Sequence, residues 1–293
     1  MLRFLLFALA ALALPARADI ALRDDGGTEV RLKQPARRII SLSPHITEIL
    51  FDAGAGDRVV GAVEYSDYPP QAKAVQRIGT YTNLDLETIV ALKPDLVIGW
   101  LTGNSPGEVE PLKRLGIPLF WSEPDRIEDV AVTLEQFGQL AGTSSVAQAA
   151  AAAYRARLAD LRQRFSARSP VRTFYQIWDD PPMTIGRSQI IGSAIRLCGG
   201  VNIFGDLTPM APVVSIEAVL AADPEVVVAS GMDETRPAWL DMWRRWPRLT
   251  AAARDNLFFI PPDLMQRNTP RLLDGAERLC RDLDTARARR PSG

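Results

Sequence analysis

The sequence predicts an α/β protein of two lobes with parallel sheets, joined by one long rigid helix. Three observations carry this. Apolar, strand-like runs alternate with helical patterns in both halves, as parallel sheets with helices on their faces require. Residues 144–168 are rich in Ala, Arg, Leu and Gln and contain no Gly or Pro. The chain also repeats itself: Leu86-Glu87 through Lys93-Pro94-Asp95 to Ile98 is echoed 130 positions later by Ile216-Glu217 through Asp223-Pro224-Glu225 to Val228. Each copy reads as a short helix opened by a Glu, a Pro-broken turn and a buried strand. Two like-built lobes leave a cleft between them.

The elements follow in order. Asp25-Gly26-Gly27, between Ile20-Ala21-Leu22 and Val30-Arg31-Leu32, reads as a hairpin. Arg38–Leu42 reads as a buried strand. Ser43-Pro44 then starts a helix, with Ser as N-cap and Pro at the first helical position, running to Ala53 and stopping at Gly54. Strands are predicted at Arg58–Val63, Asp95–Trp100 and Ile117–Trp121, and helices at Leu84–Leu92 and Glu108–Leu115. In the long helix Ala147, Ala151, Tyr154, Leu158, Leu161 and Phe165 share one face. Arg155, Arg157, Asp160, Arg162 and Arg164 fall largely on the other, which should be solvated. A helix over 144–168 would reach roughly 37 Å at 1.5 Å per residue. The second half restarts with a strand at Arg172–Trp178, a helix at Ile190–Cys198, strands at Glu225–Ser230 and Leu257–Ile260, and a helix at Pro270–Arg281. The expected division is 1–18, a first lobe 19–143, a connecting helix 144–168 and a second lobe 169–293.

Residues 1–18 read as a signal peptide: Arg3, an apolar run from Phe4 to Leu14 too short to span a bilayer, and Ala16-Arg17-Ala18 as the cleavage site. Cleavage after Ala18 leaves 275 residues with 32 basic against 35 acidic. No Cys follows the apolar run to take a lipid, so a soluble exported protein in a Gram-negative periplasm is expected. The charge balance excludes the basic surface that nucleic acid needs. Cys198 and Cys280 are the only cysteines. In an oxidising compartment they are a disulfide candidate that would tie down the last helix; two buried free thiols are the alternative. One His and no Cys-x-x-Cys speak against a metal site.

Ligands of open α/β sheets sit beyond the carboxyl ends of strands. The first lobe offers Ser43, His45, Tyr65, Tyr68, Tyr81, Trp100 and Trp121 there. The second offers Trp178, Asp179, Asp180, Met210, Asp263 and Arg267. Aromatic residues are 7% of the chain, yet they gather at these loops. Such a set suits a large flat ligand bound by stacking and apolar contact; any one of them alone would be read as core packing. His45, the sole histidine, suits a cleft or capping position, an axial metal ligand or a general base. The positive end of the first helix disfavours its imidazolium. No Gly-x-Ser-x-Gly, phosphate loop or Gly-x-Gly-x-x-Gly is present.

Several segments resemble a known family. They are Arg38 through Pro44 with Thr47-Glu48; Tyr65-Ser66-Asp67-Tyr68-Pro69-Pro70; Leu86-Glu87 through Trp100; Leu197-Cys198-Gly199-Gly200 with Asn202-Ile203-Phe204; Val214-Ser215-Ile216-Glu217; and Asp263 with Arg267, Pro270 and Arg271. Together they resemble the helical-backbone class of ABC-importer binding proteins, and within it the cobalamin-binding branch. The resemblance covers nearly all of the mature chain, and its Tyr-Ser-Asp-Tyr-Pro-Pro and Cys-Gly-Gly stretches are the most specific parts. It implies two Rossmann-like lobes of the class III periplasmic binding protein type. It also implies corrin-contacting aromatics at Tyr65, Tyr81 and Trp100, polar contacts to corrin side chains from Asp263 and Arg267, carboxylates Glu87 and Glu217 that dock on permease arginines, and a disulfide between Cys198 and Cys280. Two positions depart from the pattern. An expected second-lobe aromatic falls on Ala211, beside Met210, and another falls on Ile177, beside Trp178. Trp178 and Met210 are therefore expected to rebuild that face.

The implied function is capture of cobalamin or a related corrinoid and its delivery to an inner-membrane ABC permease and its ATPase. No catalysis, resident cofactor or metal is expected, and the protein should be a monomer. A haem carrier using His45 or a Tyr as axial ligand, a ferric-siderophore carrier using Arg187, Arg236 and Arg267, and an exported enzyme using His45 with Asp179 or Asp180 are the alternatives.

Overall fold

The two halves build their sheets in one strand order. A computed structural model describes residues 19–187, 189–231 and 235–291; the expected signal peptide and its cleavage after Ala18 lie outside the described residues. A hairpin of β1 (Ile20–Arg23) and β2 (Glu29–Leu32) leads into β3 (Ile39–Ser41) and β4 (Val59–Ala62). A small ladder of β5 (Gly79–Thr80) and β6 (Asn83–Leu84) precedes β7 (Leu96–Trp100) and β8 (Leu119–Ser122). The first sheet runs β4-β3-β7-β8, all parallel. The second half supplies β9 (Val171–Trp178), β10 (Met183–Thr184), β11 (Gly200–Asn202), β12 (Val226–Ala229) and β13 (Leu257–Phe259). Its parallel strands lie in the order β11-β9-β12-β13, the same arrangement again. The expected purely parallel sheet needs one correction: β10 pairs antiparallel with the far end of β9. Central strands such as β3 and β12 are buried at every residue, as parallel sheets covered on both faces require.

The helices are α1 (Pro44–Asp52), α2 (Leu86–Ala91), α3 (Pro106–Arg114) and α4 (Asp129–Ala141), then α5 (Ser144–Phe165). The second half adds α6 (Ile190–Leu197), α7 (Ile216–Ala222), α8 (Thr250–Ala253), α9 (Pro262–Met265) and α10 (Leu272–Ala288). The sequence echo falls on α2–β7 and α7–β12 and is physical in detail. Asp85 caps α2 by accepting from Thr88 N, and Ser215 caps α7 by accepting from Ala218 N, each satisfying an otherwise unpaired donor of the first turn. Lys93 (φ 46°) and Asp223 (φ 40°) take the same left-handed turn, each just before a proline. The Asp95 carboxylate accepts from Arg37 N and Arg38 N at 2.8 and 2.9 Å, and the Glu225 carboxylate from Arg172 N at 3.2 Å.

The connecting helix differs from the expectation in two ways. It ends at Phe165, not at residue 168, because the Ser166 hydroxyl turns back to donate to Arg162 O at 2.7 Å; such bonding competes with continuation of the helix. Its 22 residues span about 33 Å. It is also not a lone connector. Unforeseen from the sequence, α4 lies against it, and Gly142 (φ 67°) closes α4 with Thr143 N donating to Gly138 O at 2.7 Å. The predicted apolar face is buried as expected. The arginine face is solvated as expected, and from there it pairs with its neighbours: Arg155 with Glu135 of α4, and Arg157 with Asp274 and Glu277 of α10. Long side chains with carboxylates within reach pair while staying in contact with water.

Cys198, which caps α6, is joined by a disulfide to Cys280 in α10. The bridge closes 82 residues, a loop whose restraint is worth about 4–5 kcal/mol in the chain-entropy model.

Where α4 meets α5 the packing leaves no room. A Cβ built on Gly138 would lie 2.2 Å from Ala147 Cβ. Gly138→Ala must push the helices apart, and urea unfolding should show a loss of about 1–3 kcal/mol; an unchanged midpoint would contradict the contact.

Candidate functional site

The strand-end loops of the two lobes face one another. In the first lobe, β3 leads into α1 through Ser43. Ser43 occupies the N-cap position, but its side chain makes no cap bond. Its Oγ lies 2.7 Å from His45 Nδ1 instead. His45 is 6% exposed, and its Nε2 is buried with no hydrogen-bond partner. Burial, with the Arg267 charge adding to it, pushes the imidazole pKa down to about 3. The ring is therefore neutral at ordinary pH. It stands edge-on to Trp100, with centroids 5.5 Å apart and planes at 88°.

Asn104 organises this rim. It is 4% exposed and uses its whole amide: Oδ1 accepts from Trp100 N at 2.7 Å, and Nδ2 donates to Leu42 O at 3.2 Å and Tyr81 O at 2.9 Å. One side chain thus ties together the loops after β3, β5 and β7. Tyr81 and Trp100 lie 6.0 Å apart with rings tilted at 53°. Tyr65 stands 74% exposed on a left-handed turn (φ 64°). Trp121, one of the strand-end candidates, packs inward instead; its ring lies within 2.7 Å of where a Gly99 Cβ would be.

In the second lobe Trp178 and Met210 are 43% and 36% exposed. The Trp178 indole donates to Asp180 O at 3.1 Å. Asp263, in the first turn of α9, and Arg267 pair with each other at 2.9 Å. Arg267 also reaches across to Asp67 at 3.1 Å, in the loop between Tyr65 and Tyr68. One turn on, Arg271 makes a two-pronged pair with Glu48 of α1, at 2.7 Å on each arm. The guanidinium of Arg271 lies 3.8 Å from the centre of the Tyr68 ring. Asn268 Nδ2 donates to Pro124 O at 3.0 Å.

The structure thus brings His45, Tyr81 and Trp100 into one cluster, and Asp263 and Arg267 into another that touches the Tyr65–Tyr68 loop. Trp178 and Met210 stand exposed on the second-lobe side. Sequence reasoning gives no role to Glu48, Asp67 and Arg271, which stand in the segments that carry the resemblance, and does not reach Asn104 and Glu123 at all. Glu48 carried a readable signal: a charge in a helix whose neighbours Ile46, Ile49 and Leu50 are all apolar.

Glu87 and Glu217 are exposed at the second position of α2 and α7. Hydrogen bonds from its own backbone N–H and from Ser215 hold the Glu217 carboxyl below the usual range. Among the described residues, no group of three or more His, Cys, Asp or Glu is placed to hold a metal ion. A cavity of about 310 Å³ lies behind Glu123, lined also by Asp25, Asp125 and Asp129. Burial, and then neighbouring charges, push the Asp25 and Asp125 carboxyls up. A second cavity, of about 360 Å³, lies beside Leu220, Trp246 and Leu249. Neither cavity is lined by a predicted ligand residue.

Comparison with known proteins adds three findings. The periplasmic binding protein family matches residues 39–264. A vitamin B12-binding protein of Vibrio cholerae is 40% identical over 253 residues, spanning 86% of this chain and 91% of that protein. Among solved structures, the periplasmic vitamin B12 binding protein BtuF of Vibrio cholerae is similar with a TM-score of 0.80 and 39% identity, over 86% of this chain and 98% of that one. The periplasmic haem-binding protein RhuT of Roseiflexus sp. RS-1 is similar with a TM-score of 0.73 and 26% identity, over 86% and 99%.

The buried His45 has a measurable consequence. Its folded pKa lies below its ordinary 6.5, so between about pH 3 and 6.5 only the unfolded chain takes up this proton. Stability from neutral His45 is complete above pH 6.5 and is lost as pH falls, by up to about 1.4 kcal/mol per unit. Asp52, pushed up to about 6 by burial, acts in the opposite sense over part of that range, so the comparison must be with a variant. Denaturant unfolding of His45→Asn from pH 7 to 4 should lose less stability than the wild type, and equal slopes would exclude a buried neutral imidazole.

Proposed function

The chain belongs to the periplasmic binding protein family, and we propose that it captures cobalamin or a related corrinoid between its lobes and delivers it to an ABC importer. The observation that carries this reading is the extent of the likeness: relatives named as vitamin B12-binding match over most of both chains. The site chemistry agrees with it. Tyr65, Tyr81 and Trp100 offer flat surface on strand-end loops, and the sole His among them is neutral. A broad, uncharged macrocycle with amide side chains suits aromatic faces bordered by a few polar groups. Asp263 and Arg267 would meet those amides, and Trp178 and Met210 would supply the opposite wall. The chain catalyses no reaction in this role.

The same reading places the mature protein in the periplasm, as a monomer starting at Asp19 after removal of residues 1–18. No helix among the described residues is long and apolar enough to cross a membrane. Its partners would be an inner-membrane permease and its ATPase. Glu87 and Glu217 occupy equivalent points on equivalent helices, where two carboxylates would meet two arginines and set orientation and encounter rate. Haem is the second reading, favoured by the likeness to a haem-binding protein. It needs an axial ligand, either His45, whose Nε2 is buried, or a Tyr such as the exposed Tyr65.

Calorimetric titration of the mature protein should give one-to-one binding of cyanocobalamin and none of haemin; the reverse would overturn the corrinoid reading. Glu87→Arg with Glu217→Arg should leave cyanocobalamin affinity within about twofold and weaken association with the permease complex at least tenfold. Unchanged association would remove the docking role.

A further inference from the structure

We infer that Glu123 is a positioning residue for ligand capture: it fixes the indole of Trp100 so that the ring presents one face, and not its N–H, to the ligand. The inference rests on the reading of Trp100 as a ligand contact. Trp100 ends β7 and is paired in register with Ser122 at the end of β8. Glu123 follows directly, so the sheet register itself carries its carboxylate to the indole. Trp100 Nε1 donates to Glu123 Oε1 at 3.1 Å. Glu123 Oε2 is held in turn by Thr102 N at 3.0 Å and Thr102 Oγ1 at 2.7 Å. The backbone N–H of Glu123 donates to Asp25 Oδ2.

The remaining freedom of the indole is closed off as well. Its backbone N–H is held by Asn104. His45 stands at its side, and one face lies against Gly103, where a Cβ would come within 1.9 Å of the ring. A side chain with two rotatable bonds, pinned at its nitrogen and backed on one face, has a single orientation before any ligand arrives. Preorganisation of this kind removes an ordering cost from binding. It also decides chemistry. The only indole donor is already taken, so Trp100 recognises a flat apolar surface and gives nothing to a hydrogen-bond acceptor on the ligand.

The test is a double-mutant cycle read by calorimetry with cyanocobalamin on the mature protein, with a thermal melt for each variant. Trp100→Ala should weaken binding at least tenfold, and Glu123→Ala about tenfold. In a Trp100→Phe background, which has no N–H to hold, adding Glu123→Ala should change affinity less than twofold. An undiminished Glu123→Ala loss in that background would mean that Glu123 acts through the Thr102 turn, and the inference falls. A harmless Glu123→Ala beside a damaging Trp100→Ala refutes positioning alone. A harmless Trp100→Ala removes the reading of Trp100 as a contact, and this inference with it. Should Glu123→Ala not fold, Glu123→Gln takes its place in the same cycle, with a loss of severalfold expected only where Trp100 is present.

Discussion

The arrangement of the site depends on one ion pair, Glu48 with Arg271. Glu48 has no exposed surface. It sits on α1 among fully buried Ile46, Ile49 and Leu50. An ionised carboxylate there is intolerable alone, and stripping one partner from a buried pair costs about 3–5 kcal/mol. Arg271 must therefore come to it from the second lobe, where it stands at the start of α10. Its arrival sets the positions of other groups. The same guanidinium lies 3.8 Å from Asp263 and from the Tyr68 ring centre, so the aromatic loop of one lobe and the α9–α10 corner of the other are located by a single cation. Asp52, one turn beyond Glu48, shares this environment; burial, and then the Glu48 charge, push its carboxyl up to about 6.

The repeated lobe architecture explains why the strand-end loops meet at all. Both sheets use one order, and in both an acidic residue at the foot of the third strand collects backbone N–H groups from the foot of the first. Local physics is duplicated, so the loops at the other end are presented alike. The lobes then diverge where function differs. The first builds a rigid rim through Asn104. The second inserts β10, which carries the chain past Trp178 toward the Met210 loop, and braces α6 against α10 by the disulfide.

The repeat, the strand positions and the buried face of α5 were legible because each is a local pattern: apolar periodicity, a Pro after a helix, a capping residue. The aromatic residues at strand ends were legible by position, since the parallel sheet says which ends carry the loops. What could not be read depends on pairs far apart in the chain. Glu48 and Arg271 are 223 residues apart, and Asp67 and Arg267 are 200. Asn104 looks like any loop amide until three loops converge on it. Trp121 went astray because strand register, invisible in the sequence, turns it onto Gly99. The solvated arginine face of α5 is legible too, but not its carboxylate partners, which come from α4 and α10. Helix α4 itself was overlooked, although its Gly142 stop signal was present.

Among the described residues two ion pairs cross between the lobes, and they differ in what it costs to break them. The Glu48–Arg271 pair is buried on the acid side and two-pronged. The Asp67–Arg267 pair has a carboxylate 47% exposed to solvent, and pairs of that kind contribute about 0–1 kcal/mol and weaken with salt. Of the two, Asp67–Arg267 is therefore the cheaper to break. Gly138 and Ala147 hold α5 against α4 of the first lobe, and Arg157 ties the same helix to α10 of the second. Arg267, 16% exposed, keeps its second partner Asp263 at 2.9 Å when Asp67 is given up. Arg271 has the same arrangement one turn on, with Glu48 as its near partner and Asp263 at 3.8 Å, so Asp263 lies between both lobe-crossing arginines.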